Sequence, residues 1–116
     1  MNETRMDLQA HLPLKTRTFS VLTALVRRPL HGYALMSLLR EEPGTKGIGP
    51  ATLYRSLHEL EASGLIQARA VGEAPRRGAT FEVTALGRRV LQADLQRLEE
   101  LTAQARSALG PDPRSR

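Results

Sequence analysis

The chain has no cysteine and no tryptophan, and its few aromatics (Phe19, Tyr33, Tyr54 and Phe81) amount to 3% of 116 residues. Without cysteine there are no disulfides, no thiolate nucleophile and no thiol redox switch. No apolar run approaches the ~20 residues that span a bilayer, and the N-terminus lacks the apolar core of a signal peptide. A soluble, cytoplasmic protein without membrane contact is therefore expected. His31 and His58 fall in separate elements with no carboxylate constellation, and no histidine pair stands at ligand spacing. Gly47-Ile48-Gly49 is too short to cradle a phosphate. These absences argue against an enzyme, and no metal or cofactor is expected. Repeats and low-complexity segments are absent as well.

What is present is positive charge. Seventeen Lys and Arg face twelve Asp and Glu, for a formal net charge of +5, and the isoelectric point is near 10.7. Such a chain is attracted to polyanions. Fifteen of the cations are arginine, whose planar fork suits phosphates and guanine edges, although arginine richness also follows genome base composition. At this length one domain with a modest core is expected, more easily stabilised when a partner shares that core.

The stretch from Gly49 to Ile66 organises the rest. Pro50 suits the first helical position, where its missing N–H costs nothing. Leu53, Leu57 and Leu60 recur at helical spacing and form one apolar face, and Gly64 can end the helix in the left-handed conformation with Leu65 folding back. The other face carries Thr52, Arg55, Ser56, His58 and Glu59. A short helix with a hard start, a hard stop and a partly basic outer face fits a recognition helix; taken alone, it fits an ordinary amphipathic surface helix better.

Upstream, residues 1–12 form a loose arm that can turn helical at its end. A first helix opens at Pro13 or around Thr16 and Thr18, buries Phe19, Leu22, Leu25 and Val26 with Val21 beside them, and stops before Pro29. A second starts around His31-Gly32 and is broken by Pro43-Gly44; its length suits the positioning helix of a helix-turn-helix. His31, with no other potential ligand nearby, reads as a cap or packing residue. Residues 41–49 are a glycine-rich loop bearing Lys46. Downstream, residues 65–71 and 79–83 read as two strands around a loop carrying Arg76 and Arg77, a β-hairpin wing. Those arginines either meet phosphate or a minor groove, or are solvated loop charges.

Thr84 is an N-cap for a last helix, Ala85 to about Leu109, ended by Gly110-Pro111. At 1.5 Å per residue it is roughly 37 Å long, too long for so small a domain to cover. Leu91, Leu95, Leu98, Thr102, Ala105 and Leu109 follow a four-three alternation, flanked by Leu86, Val90 and Leu101. That coiled-coil-like seam calls for a partner, and a second copy in a twofold dimer is the simplest. The expected fold is mainly α with a small β-hairpin (α+β): a winged helix-turn-helix over 13–84, a dimerisation helix over 85–109, and flexible ends at 1–12 and 110–116.

With these pieces in place the chain resembles the PadR-type family of winged-helix transcriptional regulators, and within it the short subgroup that ends after a single C-terminal dimerisation helix. The matching residues are Pro29-Leu30-His31-Gly32-Tyr33, then Thr52-Leu53-Tyr54 with Leu57, Leu60-Glu61 and Gly64-Leu65-Ile66, and Thr84 with Gly87-Arg88 and Leu91. They cover residues 16–101 in order and spacing, specific as a set. The resemblance implies a homodimeric, repressor-like protein whose recognition helices enter successive major grooves of a near-palindromic operator in double-stranded DNA. It also implies response to a small hydrophobic or phenolic effector near the dimer interface.

Three departures stand out. Gly49 replaces the serine usual before the recognition-helix proline, Ala79-Thr80-Phe81 replace a basic residue and two tyrosines in the wing, and the tryptophan of some multidrug-binding relatives has no counterpart. Thr52, Tyr54 and Arg55 are the candidate groove contacts, with Tyr54 also able to anchor a phosphate. Lys46, Arg76 and Arg77 would add sequence-independent attraction that weakens with salt. Phe19, Leu22, Leu91, Leu95 and Leu98 line an effector pocket or simply fill the dimer core. A protein-interaction adaptor without DNA binding, its long helix paired to a different chain, is the alternative from another class.

Overall fold

A computed structural model describes residues 8–69, 79–111 and 114. The first helix, α1 (Thr16–Arg27), buries Val21, Leu22 and Leu25, while Phe19 and Val26 of the expected stripe are only partly covered. Arg28 leaves the helix in an extended conformation (φ −172°, ψ 158°), as a residue preceding proline prefers. Leu30–His31 then form a two-residue strand, β1. No local pattern announces it; it exists because a later strand returns alongside.

Helix α2 (Gly32–Arg40) turns Leu35 and Leu39 inward. Within the expected loop, Pro43–Thr45 make a single 3-10 turn. Thr45 is buried, and its hydroxyl donates to the Leu39 carbonyl at 2.6 Å, which satisfies the end of α2. Helix α3 (Pro50–Ala62) has proline in its first turn and Gly49 as N-cap. Its C-terminus closes as the sequence pattern expects. Leu65 N–H reaches the Leu60 carbonyl at 2.9 Å and Gly64 N–H the Glu61 carbonyl at 3.0 Å, with Gly64 at φ +77°. Both bonds cap carbonyls that would otherwise lack partners.

Strands β2 (Ile66–Arg69) and β3 (Thr80–Val83) pair antiparallel, from Ile66 opposite Val83 to Arg69 opposite Thr80. On its other side β3 pairs with β1, Leu30 opposite Phe81, giving the sheet order β1-β3-β2. The wing is thus a three-stranded sheet, not the bare hairpin expected. Its tip, including Arg76 and Arg77, lies outside the described residues.

Thr84 makes the transition into α4 (Ala85–Leu109). Its hydroxyl accepts from Gly87 N–H at 3.0 Å and donates to the Gly64 carbonyl at 2.6 Å, so one group caps α4 and ties it to the end of α3. A Cβ on Gly87 would collide with the Leu65 carbonyl oxygen and stand 2.8 Å from Val83 Cγ2. Glycine here permits helix and sheet to touch.

The core is one cluster drawn from all four helices and from β1 and β2: Val21, Leu22 and Leu25, Leu30, Leu35 and Leu39, Leu53, Leu57 and Leu60, then Ile66 and Val90, with Phe81 and Val83 of β3 partly buried against it. Leu8, Leu12 and Leu14 pack partly against it, and residues 8–9 are helical, so the end of the expected arm lies on the domain. The apolar spacing of those three leucines supplies the reason. Among the described residues, no helix is long and apolar enough to cross a membrane.

Helix α4 leaves the domain early. Gly87, Val90 and Asp94 are its buried residues, and from Leu98 to its end every residue is at least partly exposed. Leu95, Leu98, Leu101 and Leu109 are 47%, 37%, 48% and 84% exposed. Asp94 is a buried polar residue within this helix, held at Oδ1 by Arg97 Nε at 2.7 Å.

Candidate nucleic-acid interface

Burial of Leu53, Leu57 and Leu60 fixes which face of α3 looks outward, since the opposite side of a helix follows from its 3.6-residue turn. Tyr54, Arg55, His58 and Glu59 stand on that face, with Tyr54 50% exposed. Thr52 is half-buried at its edge, and Lys46 is exposed in the loop before the helix. Thr52, Tyr54, Arg55 and Lys46 therefore come together around the N-terminal half of α3.

Ser56 does not belong with them. Expected on the outer face, it is 5% exposed and accepts from Arg17 Nε at 2.8 Å. Its position one residue from Leu57 places it on the flank that meets α1, where a small hydroxyl fits against a guanidinium. Arg17 is thereby a residue that the sequence pattern missed, because its partner lies 39 positions away. It joins Gly44, Thr45, Gly47, Ile48 and Thr52 in lining a cleft of about 240 Å³ beside the start of α3. That cleft combines a cation, a hydroxyl and the positive end of a helix dipole, chemistry suited to an anionic oxygen.

Two contacts link α3 and the wing to the start of α2. His31 is the N-cap residue of α2 yet makes no side-chain cap bond; its Nδ1 instead lies 3.1 Å from the carbonyl oxygen of Ala79, the residue just before β3. The Tyr54 ring rests against Gly32. On the wing itself, Glu82 accepts from Gln67 Nε2 at 2.6 Å and pairs with Arg69 at 3.3 Å, which leaves the hairpin stem nearly balanced in charge.

The residues expected around an effector are dispersed within one protomer. Leu22 is fully buried in the domain core. Phe19 lines a cleft of about 270 Å³ between α1 and α2, with Thr23, Ala24, Arg27 and Leu38. Leu91 is partly buried, and Leu95 and Leu98 lie along the uncovered face of α4. Among the described residues no group of three or more His, Asp or Glu could hold a metal ion.

Residues 21–93 match the model of the transcriptional regulator PadR-like family. Transcriptional regulator Rv3488 of Mycobacterium tuberculosis is 43% identical over 65 residues, 54% of this chain and 56% of that protein. A PadR family transcription regulator from Clostridium difficile superposes with a TM-score of 0.70 at 18% identity, over 83% of this chain and 100% of that one. The M. tuberculosis regulator MosR, solved in complex with DNA, superposes with a TM-score of 0.63 at 24% identity, over 98% of this chain and 77% of that one; both superpositions are likenesses of fold. The chain spans 26% and 56% of the lengths of the two curated relatives it matches. Since the family match takes in the second and third helices, the wing strands and the first turns of α4, this chain belongs to the PadR-like family of transcriptional regulators, a family of regulators and not of enzymes.

Proposed function

We propose that the chain acts as a homodimeric repressor that binds a near-palindromic operator and is released by a small apolar effector. The observation that carries this reading is the contrast on α3. Its apolar side is sunk in the core and its end is latched to α4 through Thr84, while Tyr54 and Arg55 are presented outward. A rigidly held, partly basic helix face is what groove reading requires. Membership of a family of transcriptional regulators and likeness of fold to MosR, solved with DNA, support the same reading.

In this scheme Thr52, Tyr54 and Arg55 contact the major groove. Lys46, Arg76 and Arg77 supply sequence-independent attraction to phosphate. The exposed leucines of α4 pair with those of a second copy, and the effector meets that interface near Phe19, Leu91, Leu95 and Leu98, changing DNA affinity only by binding two dimer geometries unequally.

The test is a mobility-shift titration on the DNA immediately upstream of the protein's own gene, repeated across a range of salt. A salt-sensitive, saturable shift is expected; no shift at low salt refutes DNA binding. In a structure of the dimer, the two copies of Tyr54 should stand about 34 Å apart, one turn of B-DNA.

A further inference from the structure

The Tyr54 ring occupies space that only glycine leaves open at the start of α2. A Cβ placed on Gly32 would stand 2.6 Å from Tyr54 Oη and 3.0 Å from its Cε1 and Cζ, distances at which one group must move. Backbone conformation does not demand glycine there. The positive-φ glycines among the described residues are Gly64 and Gly110, and alanine would favour the helix that begins at position 32. What Gly32 contributes is room, and a side chain from another helix fills it.

We propose that Gly32 is a positioning residue for DNA reading: the bare first turn of α2 seats the Tyr54 ring and holds its hydroxyl at one place on the surface offered to the duplex. This rests on the assignment of Tyr54 as a DNA contact. The seat covers one side of the ring, for Tyr54 remains 50% exposed. A side chain already restrained in this way has less rotamer freedom to lose on binding. The same segment carries His31, whose ring lies 3.1 Å from the Ala79 carbonyl oxygen, and Leu30, paired with Phe81. One short stretch therefore meets both the recognition helix and the returning strand of the wing.

The experiment compares wild type, Gly32→Ala, Tyr54→Ala and the double variant on a duplex that the wild-type protein shifts. Each single change is expected to weaken binding roughly tenfold, the scale of one side chain's ordering. The double variant should bind no worse than Tyr54→Ala alone, because the two act through one group. The chain has two tyrosines, so Tyr33→Phe assigns the ring resonances, and those of Tyr54 should shift in Gly32→Ala. A purely structural glycine would leave them in place.

Wild-type binding by Gly32→Ala, or an undiminished further loss in the Tyr54→Ala background, overturns the positioning role and leaves DNA binding intact. Wild-type binding by Tyr54→Ala removes Tyr54 from the contact and overturns the positioning role with it, DNA binding itself again standing. Should Gly32→Ala fail to fold, the double variant decides. Recovery of folding with the affinity of Tyr54→Ala supports the seat, and continued unfolding refutes it.

Discussion

Replacing Leu98 and Leu101 together by alanine should dissociate the proposed dimer without unfolding the domain. Both side chains lie beyond the last buried residue of α4, at 37% and 48% exposure, so neither contributes to the protomer core. Full burial of a leucine is worth ~1.5–3 kcal/mol, and with between a third and a half of each still exposed, an interface can recover about 1 kcal/mol per side chain. A twofold axis counts every substitution twice. The double change therefore costs about 4 kcal/mol, which weakens association roughly a thousandfold at ~1.4 kcal/mol per decade. Sedimentation equilibrium over a dilution series measures this directly, with the helical circular dichroism signal as the check on folding. DNA affinity should fall with it, because each half-site would then be held by a single probe. An unchanged dissociation constant for the double variant would refute the claim that the exposed seam of α4 is the dimer contact, and so would a wild-type protein that stays monomeric at every concentration.

Among the glycines of the described residues, Gly87→Ala should be the most damaging methyl addition, because the new Cβ meets the Leu65 backbone carbonyl and cannot be accommodated by a rotamer change; a loss of about 1–3 kcal/mol or more is expected, read as a lowered midpoint in urea. Thr84→Ala removes both the cap on Gly87 N–H and the bond to the Gly64 carbonyl, at a cost of ~2 kcal/mol in the same assay, about 1 for each. A loss confined to a few tenths would show that the hydroxyl does not join α3 to α4. Changing Arg76 and Arg77 together to alanine should weaken binding equally on all duplexes and reduce the slope of log affinity against log salt by about 4, two contacts in each subunit of the dimer; an unchanged slope would place the two arginines away from phosphate.

Features that depend on residues close in sequence are legible in the chain itself. The limits of α3 follow from Pro50 and Gly64, and the start and stop of α4 from Thr84 and Gly110, because caps are local chemistry acting on groups a few bonds away. The leucine spacing identifies the buried face of α3 correctly, whereas on α2 it does not separate the buried Leu35 and Leu39 from the exposed Tyr33 and Leu38. Ser56 escapes, since a lone hydroxyl on a helix flank has no pattern to betray its neighbour. Arg17 escapes for the same reason. Asp94 is harder still: its place between Val90 and the exposed leucines gives no sign that a carboxylate would be buried and held by Arg97.

The sequence by itself therefore determined the order of the long helices, the limits of α3 and α4, the leucine face of α3 and the excess of positive charge, all properties of short stretches and of sums over residues. Only the tertiary structure decided that Leu30–His31 would become a strand, since a two-residue ladder has no stability until β3 lies beside it. It alone placed Tyr54 on Gly32 and Arg17 on Ser56. Such contacts form when separate helices dock, and the information for them is spread over side-chain shapes that no local periodicity encodes.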